Sequence, residues 1–141
     1  MNILLSMLKK LPEYEALLSA LEARQTVAVS GVSQLIRSHF IPALIAESVR
    51  PALIVCQDDL AAQRAQAELA AFLGSTPPLL PARELTLYES ASVSREWEHR
   101  RMRLLYGLAT GKVKVLVASM EALSLRTVPR QTLFGGLVTL K

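Results

Sequence analysis

The chain has 141 residues, of which 51% are hydrophobic and 20% charged, with a formal net charge of +4. This length is typical of one domain, and the composition excludes a disordered chain. A single cysteine, Cys56, excludes an internal disulfide, and no stretch approaches the roughly 18 apolar residues of a membrane-spanning helix. The lysines near the N-terminus follow the apolar residues, an order wrong for a signal peptide, so we expect a cytoplasmic protein.

Apolar periodicity, caps and helix stops predict alternating helices and strands. In the first part of the chain they predict helices at Met1–Lys10, Glu13–Ala23 and Gln34–Ser48, and strands at Thr26–Ser30 and Ala52–Cys56. Further on they predict a helix capped by Asp58 that runs to about Leu73 and ends at Gly74, and a short strand at Leu79–Leu80 that Pro81 makes an edge or a strand end. They also predict a helix at Ser94–Thr110 with Ser94 as its N-cap, a strand at Lys112–Ser119 and a short helix at Met120–Leu125. Strands separated by helices imply an α/β fold with a parallel sheet and helices on both faces.

The segment from Thr26 to Ser48 has the layout of a phosphate-binding strand, loop and helix. In a working P-loop, G-x-x-x-x-G-K-[ST], the Lys reaches the phosphates and the Ser/Thr hydroxyl meets Mg²⁺. Here Gln34 stands at the lysine position, Leu35 at the hydroxyl position and Ser33 at the second glycine. The degenerate loop consists of Ser30, Gly31, Val32, Ser33, Gln34 and Leu35. We therefore expect a binding module with no catalytic residue, no bound nucleotide and no cofactor.

Histidine, cysteine and acidic residues give no metal-ligand spacing. The two histidines and Cys56 lie far apart in sequence; His39 is expected to be structural, and Cys56 to be a buried strand thiol. Asp58 and Asp59 follow a predicted strand, where an acidic pair can bind a metal or a ribose. The simpler interpretation is a helix N-cap and a first-turn carboxylate. We expect no metal site.

Basic residues on the predicted Ser94–Thr110 helix raise a second possibility. Arg100, Arg101 and Arg103 lie among Glu96 and Glu98, which is typical of a solvated mixed-charge face. The arginines could also contact nucleic acid phosphates, but no aromatic residues are interleaved with them to stack on bases. The three arginines are retained as a weak interaction surface. Trp97, which shares a helix face with leucines, is expected in the core.

Three segments, Leu80–Leu85, Ser94–Leu105 and Val115–Leu123, follow a pattern that resembles the N-terminal, UvrB-like module of bacterial transcription-repair coupling factors. The resemblance covers nearly the whole chain. It implies a three-layer, P-loop-NTPase-like domain, similar to the first domain of the excision-repair helicase UvrB, with a degenerate nucleotide loop over residues 1–126. It also implies that residues 127–141 form a linker and, from Leu137, the first strand of a truncated second domain that contacts UvrA.

UvrB carries a functional Walker A motif and a long tyrosine-rich hairpin that enters damaged DNA. In this chain the corresponding link, from Pro81 to Val93, is short, and Tyr88 is its only aromatic residue. The resemblance thus implies a platform that supports recruitment of UvrA within a larger DNA translocase. In that parent, ATP and Mg²⁺ belong to a distant motor, and RNA polymerase and DNA bind other domains.

Two other classes of function stay open. The first is the nucleotide-binding α/β domain of an active helicase with an unusual loop, against which Gln34 and Leu35 argue. The second is a free-standing nucleic-acid binder, in keeping with the mildly basic charge, whose affinity would fall steeply with salt.

Overall fold

The computed structural model describes residues 3–82 and 95–136, with seven helices and three strands in those ranges. The elements are α1 (Ile3–Leu8), α2 (Pro12–Glu22), α3 (Gln34–Glu47), β1 (Ala52–Cys56), α4 (Asp59–Leu73), β2 (Leu79–Leu80), α5 (Arg95–Ala109), β3 (Val115–Ser119), α6 (Met120–Ser124) and α7 (Arg130–Gly135). Most bounds fall within two or three residues of those predicted from periodicity and caps. The short helix α7 lies in the segment predicted as a linker.

All three strands belong to one parallel sheet in which β3 lies between β1 and β2. β1 pairs with β3 over its whole length, from Ala52 opposite Val115 to Cys56 opposite Ser119, and β2 adds a two-residue pairing on the other side. The central strand is buried from Leu116 onward, as expected when a strand has neighbours on both edges. The predicted α/β class and the parallel sheet are confirmed, and β2 lies at an edge of the sheet that the described residues form.

The chain divides into two units, Met1–Arg50 with Glu68–Thr76, and Pro51–Ala67 with Pro77–Lys141. The second unit contains the sheet, and one of its apolar clusters consists of Leu80, Ala82, Leu116, Ala118 and Ala122, with Leu108 and Val113 packed against them. Helix α5 comes close to this cluster at Gly107. A Cβ atom added there would lie 2.8 Å from Val113 Cγ2, well inside the ~3.5–4.0 Å of van der Waals contact, so any larger residue would displace Val113 or the helix.

Helices α1, α2 and α3 make up most of the first unit. Helix α1 packs against α3, and Lys9 Nζ lies 2.8 Å from a carboxylate oxygen of Glu47. The buried ring of Tyr14 on α2 meets Phe40 on α3 edge to face, with 5.8 Å between ring centres. At the end of α2, the guanidinium of Arg50 donates hydrogen bonds to two backbone carbonyls, those of residues 21 and 22. These contacts tie the C-terminal end of α3 to both preceding helices.

The predicted strand at Thr26–Ser30 was wrong. These five residues form no strand in the structure, and all of them are exposed, including Val27 and Val29 at 39% and 50%. A strand needs a neighbour to satisfy its backbone N–H and C=O groups, and the described sheet contains only β1, β2 and β3. Without such a neighbour, the alternation of valines alone does not produce a strand.

Strand β3 passes into α6 without an intervening loop. Ser119 is both the last residue of β3 and the N-cap of α6, and it is fully buried. Its Oγ accepts a hydrogen bond from the N–H of Ala122 at 3.1 Å. One side chain therefore ends the central strand and begins the helix.

Several predictions concern residues outside the described ranges. They are the N-cap at Ser94, the short link from Pro81 to Val93 with Tyr88, of which only the first two residues are described, and the strand beginning at Leu137. The domain boundary after residue 126 stays a prediction.

Candidate functional site

The loop before α3 leads into a capped helix, as in a P-loop, but no strand precedes the loop in the described part of the chain. Gly31 has φ +77°, a left-handed conformation that favours glycine. Ser33 is the N-cap of α3, and its Oγ accepts a hydrogen bond from the N–H of Ile36 at 3.4 Å. The predicted start of the helix at Gln34 is thus confirmed, and the chain bends at Gly31, whereas residues 25–30 before the bend are irregular.

An open cleft of about 260 Å³ lies beside this loop. It is lined by Val29, Ser30, Gly31 and Val32 from the loop and by Arg37, Phe40 and Ile41 from α3. Ligand pockets are usually larger, on the order of 300–1,000 Å³, and enclose most of their ligand. Arg37 is exposed and provides the one cationic side chain in this lining. The cleft therefore has space and one positive charge, but Gln34 and Leu35 at the helix start supply neither the lysine nor the hydroxyl of a working P-loop.

The three arginines predicted as one weak surface on α5 lie in two different environments. Arg100 and Arg103 are exposed, as expected for a solvated face. Arg101 is only 4% exposed, so its inclusion in the surface was wrong. Successive helical residues point in directions about 100° apart, since 3.6 residues complete one turn, and this separates Arg101 from Arg100.

Arg101 joins α5 to two other elements of the same unit. Its Nη1 donates to the carbonyl oxygen of Pro81 after β2 at 3.1 Å. Its Nη2 donates to the carbonyl oxygens of Ala122 and Leu125, in and after α6, at 3.0 and 3.4 Å. Burial lowers the pKa of the guanidinium below its ordinary value, but a group with such a high pKa stays charged. Arg101 is a structural cation, and it is unavailable to an acidic partner.

Trp97 lies one turn before Arg101 and strengthens the same junction. Its indole Nε1 donates to the carbonyl oxygen of Ala82, and the guanidinium of Arg101 lies 5.8 Å from the centre of its ring. Trp97 was expected in the core, but it is only partly buried and lies at the junction between α5 and the residues after β2. The missed role of Arg101 had a signal in the sequence, because Arg101 lies four residues from both Trp97 and Leu105 on the predicted apolar face.

Asp58 acts as the N-cap of α4, as the simpler interpretation predicts. Its Oδ1 accepts a hydrogen bond from the N–H of Ala61 at 2.7 Å, and its Oδ2 accepts one from Gln57 Nε2 at 3.0 Å. These bonds, that of Ala61 foremost, hold the pKa of the Asp58 carboxyl below its ordinary value. Burial, and secondarily the charge of Asp58, raises the pKa of the partly buried Cys56 thiol. A raised pKa disfavours the thiolate, which is the reactive form of a cysteine.

The two histidines have different local environments. The ring of His39 meets Phe72 edge to face at 4.5 Å, and its buried Nδ1 has no hydrogen-bond partner among the described residues. His99 is exposed on α5. Over residues 3–82 and 95–136, no three His, Cys, Asp or Glu side chains come together in a way that could hold a metal ion. In the same ranges, no helix has both the length and the apolar character needed to cross a bilayer.

Comparison with known proteins gives no relative of this chain. No family model, no curated protein and no solved structure matches it.

We expect removal of the Arg101 guanidinium to destabilise the unit that contains the sheet. Arg101→Met leaves three backbone carbonyls without their donor, and should lower the free energy of unfolding by about 2–4 kcal/mol. Arg101→Lys should recover only part of this loss, because an ammonium cannot reproduce the fork of donors. Urea unfolding followed by the fluorescence of Trp97, the only tryptophan, reports on this unit.

Arg100→Met and Arg103→Met are matched controls, since they remove the same charge from exposed positions of the same helix. Each should change the free energy of unfolding by no more than about 0.5 kcal/mol. Equal unfolding midpoints for all three methionine variants would contradict the role of Arg101.

Asp58 should make the stability of the chain sensitive to acid. Because its folded pKa is lowered, the carboxylate stabilises the fold fully above its unfolded pKa, about 3.9. That contribution is lost as the pH falls through the lower folded value. Asp58→Asn keeps a capping oxygen but does not titrate, so its urea midpoint should fall less between pH 5 and pH 2 than that of the unchanged chain.

Asp59→Asn is the control, because it removes a neighbouring negative charge without removing the cap. Parallel pH profiles for the unchanged chain and both variants would contradict the assignment to Asp58.

Proposed function

We propose that the chain is a non-catalytic, UvrB-like platform from the N-terminus of a bacterial transcription-repair coupling factor. In this proposal it supports recruitment of UvrA for nucleotide excision repair, and it belongs to a longer, ATP-dependent DNA translocase that displaces stalled RNA polymerase. The proposal includes a three-layer, P-loop-NTPase-like fold completed by the rest of that protein. The sequence resemblance supplies the identity of the partners, and the described residues support the non-catalytic role.

One observation carries the non-catalytic role. The chain has a parallel α/β sheet and a glycine turn before a capped helix, but Gln34 and Leu35 stand where phosphate chemistry requires a lysine and a hydroxyl. The exposed Arg37 of the neighbouring cleft lies one turn into α3 and offers a single charge. A helix start with one nearby arginine can attract an anion weakly, yet it lacks the groups that hold Mg²⁺ and orient a γ-phosphate.

The surface of α5 adds little to the case for a docking site of its own. With Arg101 buried, Arg100 and Arg103 are what remains of the predicted basic surface, and both are exposed. Exposed ion pairs contribute only about 0–1 kcal/mol each. A platform that presents a neighbouring binding domain therefore fits this chain better than a module that binds its partner through α5.

The first test of this proposal is nucleotide binding. Titration calorimetry of Mg·ATP into the chain should give no binding heat at micromolar concentrations, because the loop lacks the lysine and the hydroxyl. Micromolar affinity that Arg37→Gln abolishes would place a nucleotide in the cleft and favour the alternative, the ATP-binding domain of an active helicase. Arg24→Gln, which removes an exposed arginine outside the cleft lining, is the control for lost charge.

The second test concerns UvrA. The 141-residue chain should bind purified UvrA weakly, and a longer chain that contains the complete second domain should bind it tightly. Calorimetry with both chains, under the same salt conditions, measures the difference. Equal affinity would show that the first domain itself carries the contact, and the platform role would then be wrong.

A further inference from the structure

Strand β1 has one edge without a strand neighbour in the described chain, because β3 borders only its other edge. Ala52 donates its N–H to the carbonyl oxygen of Lys114 at 2.7 Å, which fixes the direction of the ladder. In a parallel pair, alternate residues direct both their N–H and their C=O toward the same neighbour. Ala52, Ile54 and Cys56 therefore face β3, and Leu53 and Val55 direct their backbone groups to the free edge.

The side chains of the same two residues are also uncovered. Leu53 and Val55 are 53% and 48% exposed, whereas Ala52, Ile54 and Cys56 are partly buried. Proteins usually protect an edge strand with a charge, a proline or a bulge. The sequence of β1, ALIVC, contains none of these, so an apolar, hydrogen-bonding edge is open to another strand.

The spacing of these groups is self-complementary. A closed dimer of identical chains needs a two-fold axis, which makes paired edge strands antiparallel. With the axis at Ile54, Leu53 of each copy lies opposite Val55 of the other, and each such pair exchanges both N–H···O bonds. An axis at Leu53 would set Val55 opposite Pro51, which has no N–H. An axis at Val55 would set Leu53 opposite the polar Gln57.

Charge agrees with this register. With the axis at Ile54, Arg50 precedes the axis by four residues and Asp58 follows it by four, so residues of unlike charge flank both ends of the paired strands in sequence. Both residues are exposed. Arg50 uses two of its donors on backbone carbonyls of its own chain, and a guanidinium has five. Asp58 is ionised at neutral pH, as an ordinary aspartate is, and the bonds that it accepts lower its pKa further.

We propose that β1 is a self-association surface, at which two copies of this chain pair antiparallel about Ile54 and join their sheets. The contact buries the outward faces of Leu53 and Val55 from both copies. It involves neither the residues of the loop before α3 nor the exposed arginines of α5, and it does not depend on the proposed repair function.

Sedimentation equilibrium of the 141-residue chain tests the pairing, with a reducing agent present so that Cys56 forms no intermolecular disulfide. The unchanged chain should show a concentration-dependent monomer–dimer equilibrium. Leu53→Lys should raise the dimer dissociation constant by about tenfold or more, which corresponds to about 1.4 kcal/mol. Leu60→Lys is the matched control, because Leu60 is a leucine on α4 that is 57% exposed, and it should leave the dimer unchanged.

A mixing experiment tests the register. Leu53→Lys and Val55→Glu chains should each dimerise more weakly than the unchanged chain, and when mixed they should form a heterodimer that is tighter than either homodimer. In the proposed pairing the Lys at position 53 of one chain lies opposite the Glu at position 55 of the other. At the second pair, the unchanged Val55 of the first chain lies opposite the unchanged Leu53 of the second. A mixture of Leu53→Lys with Leu53→Glu places neither charge directly opposite the other and should associate less. Equal association of the two mixtures would overturn the register.

Amide hydrogen exchange on the unchanged chain needs no substitution. The Leu53 and Val55 amides should be protected at high concentration and exchange quickly on dilution, whereas the Ile54 amide stays protected by β3 throughout. A chain that stays monomeric at every concentration overturns the proposal, as does a dimer that Leu53→Lys leaves intact. Slow exchange of the Leu53 and Val55 amides in a monomer would show that another segment of the same chain covers the β1 edge, and this result would also overturn the proposal.

Discussion

The hydrogen bonds of one buried guanidinium connect the parts of the sheet-containing unit. Arg101 donates to a carbonyl after β2 and to two carbonyls of the α6 region. The last carbonyls of any helix have no intrahelical donor, and α6 is only five residues long, so it has few bonds of its own. Arg101 supplies from α5 the donors that α6 lacks. One side chain therefore satisfies three backbone carbonyls and joins α5 to the residues after β2 and to the α6 region.

This arrangement explains why a charge is tolerated in a small core. Burying an unpaired cation would be costly, but carbonyl dipoles from two directions and the ring of Trp97 surround the guanidinium. The planar fork of Arg suits acceptors in several directions, which a lysine ammonium does not match. The position of α5 is set by this fork together with the close approach at Gly107. Polar and apolar contacts thus agree on one placement of the helix.

Elements with local signals were predicted from the sequence, and those that depend on distant partners were not. β1 was predicted over Ala52–Cys56 because an apolar β-rich run lies between a proline and a helix cap. The cap at Asp58 and the stop at Gly74, which has φ +68°, are also local. The strand at Thr26–Ser30 failed because its existence depends on a neighbour that the sequence pattern does not contain.

The candidate sites divide in the same way. The missing phosphate chemistry at Gln34 and Leu35 is a matter of residue identity and needs no coordinates. The true role of Arg101 depended on three carbonyls that lie 20 to 24 residues away along the chain. Its place on the apolar face gave a hint, but the neighbouring arginines and glutamates favoured a surface interpretation. Counting the charged residues of a helix therefore overestimates its charged surface when one of those side chains is buried.

The shared residue at the end of β3 has a consequence for changes in chain length. Because Ser119 both ends the strand and caps α6, no loop residue separates the two elements. One residue inserted there would rotate the helix by about 100° about its axis, or else shift the strand by one position and reverse its faces. Length variation and inserted tags should therefore be accommodated at exposed turns such as Gly74–Ser75 and not at this joint.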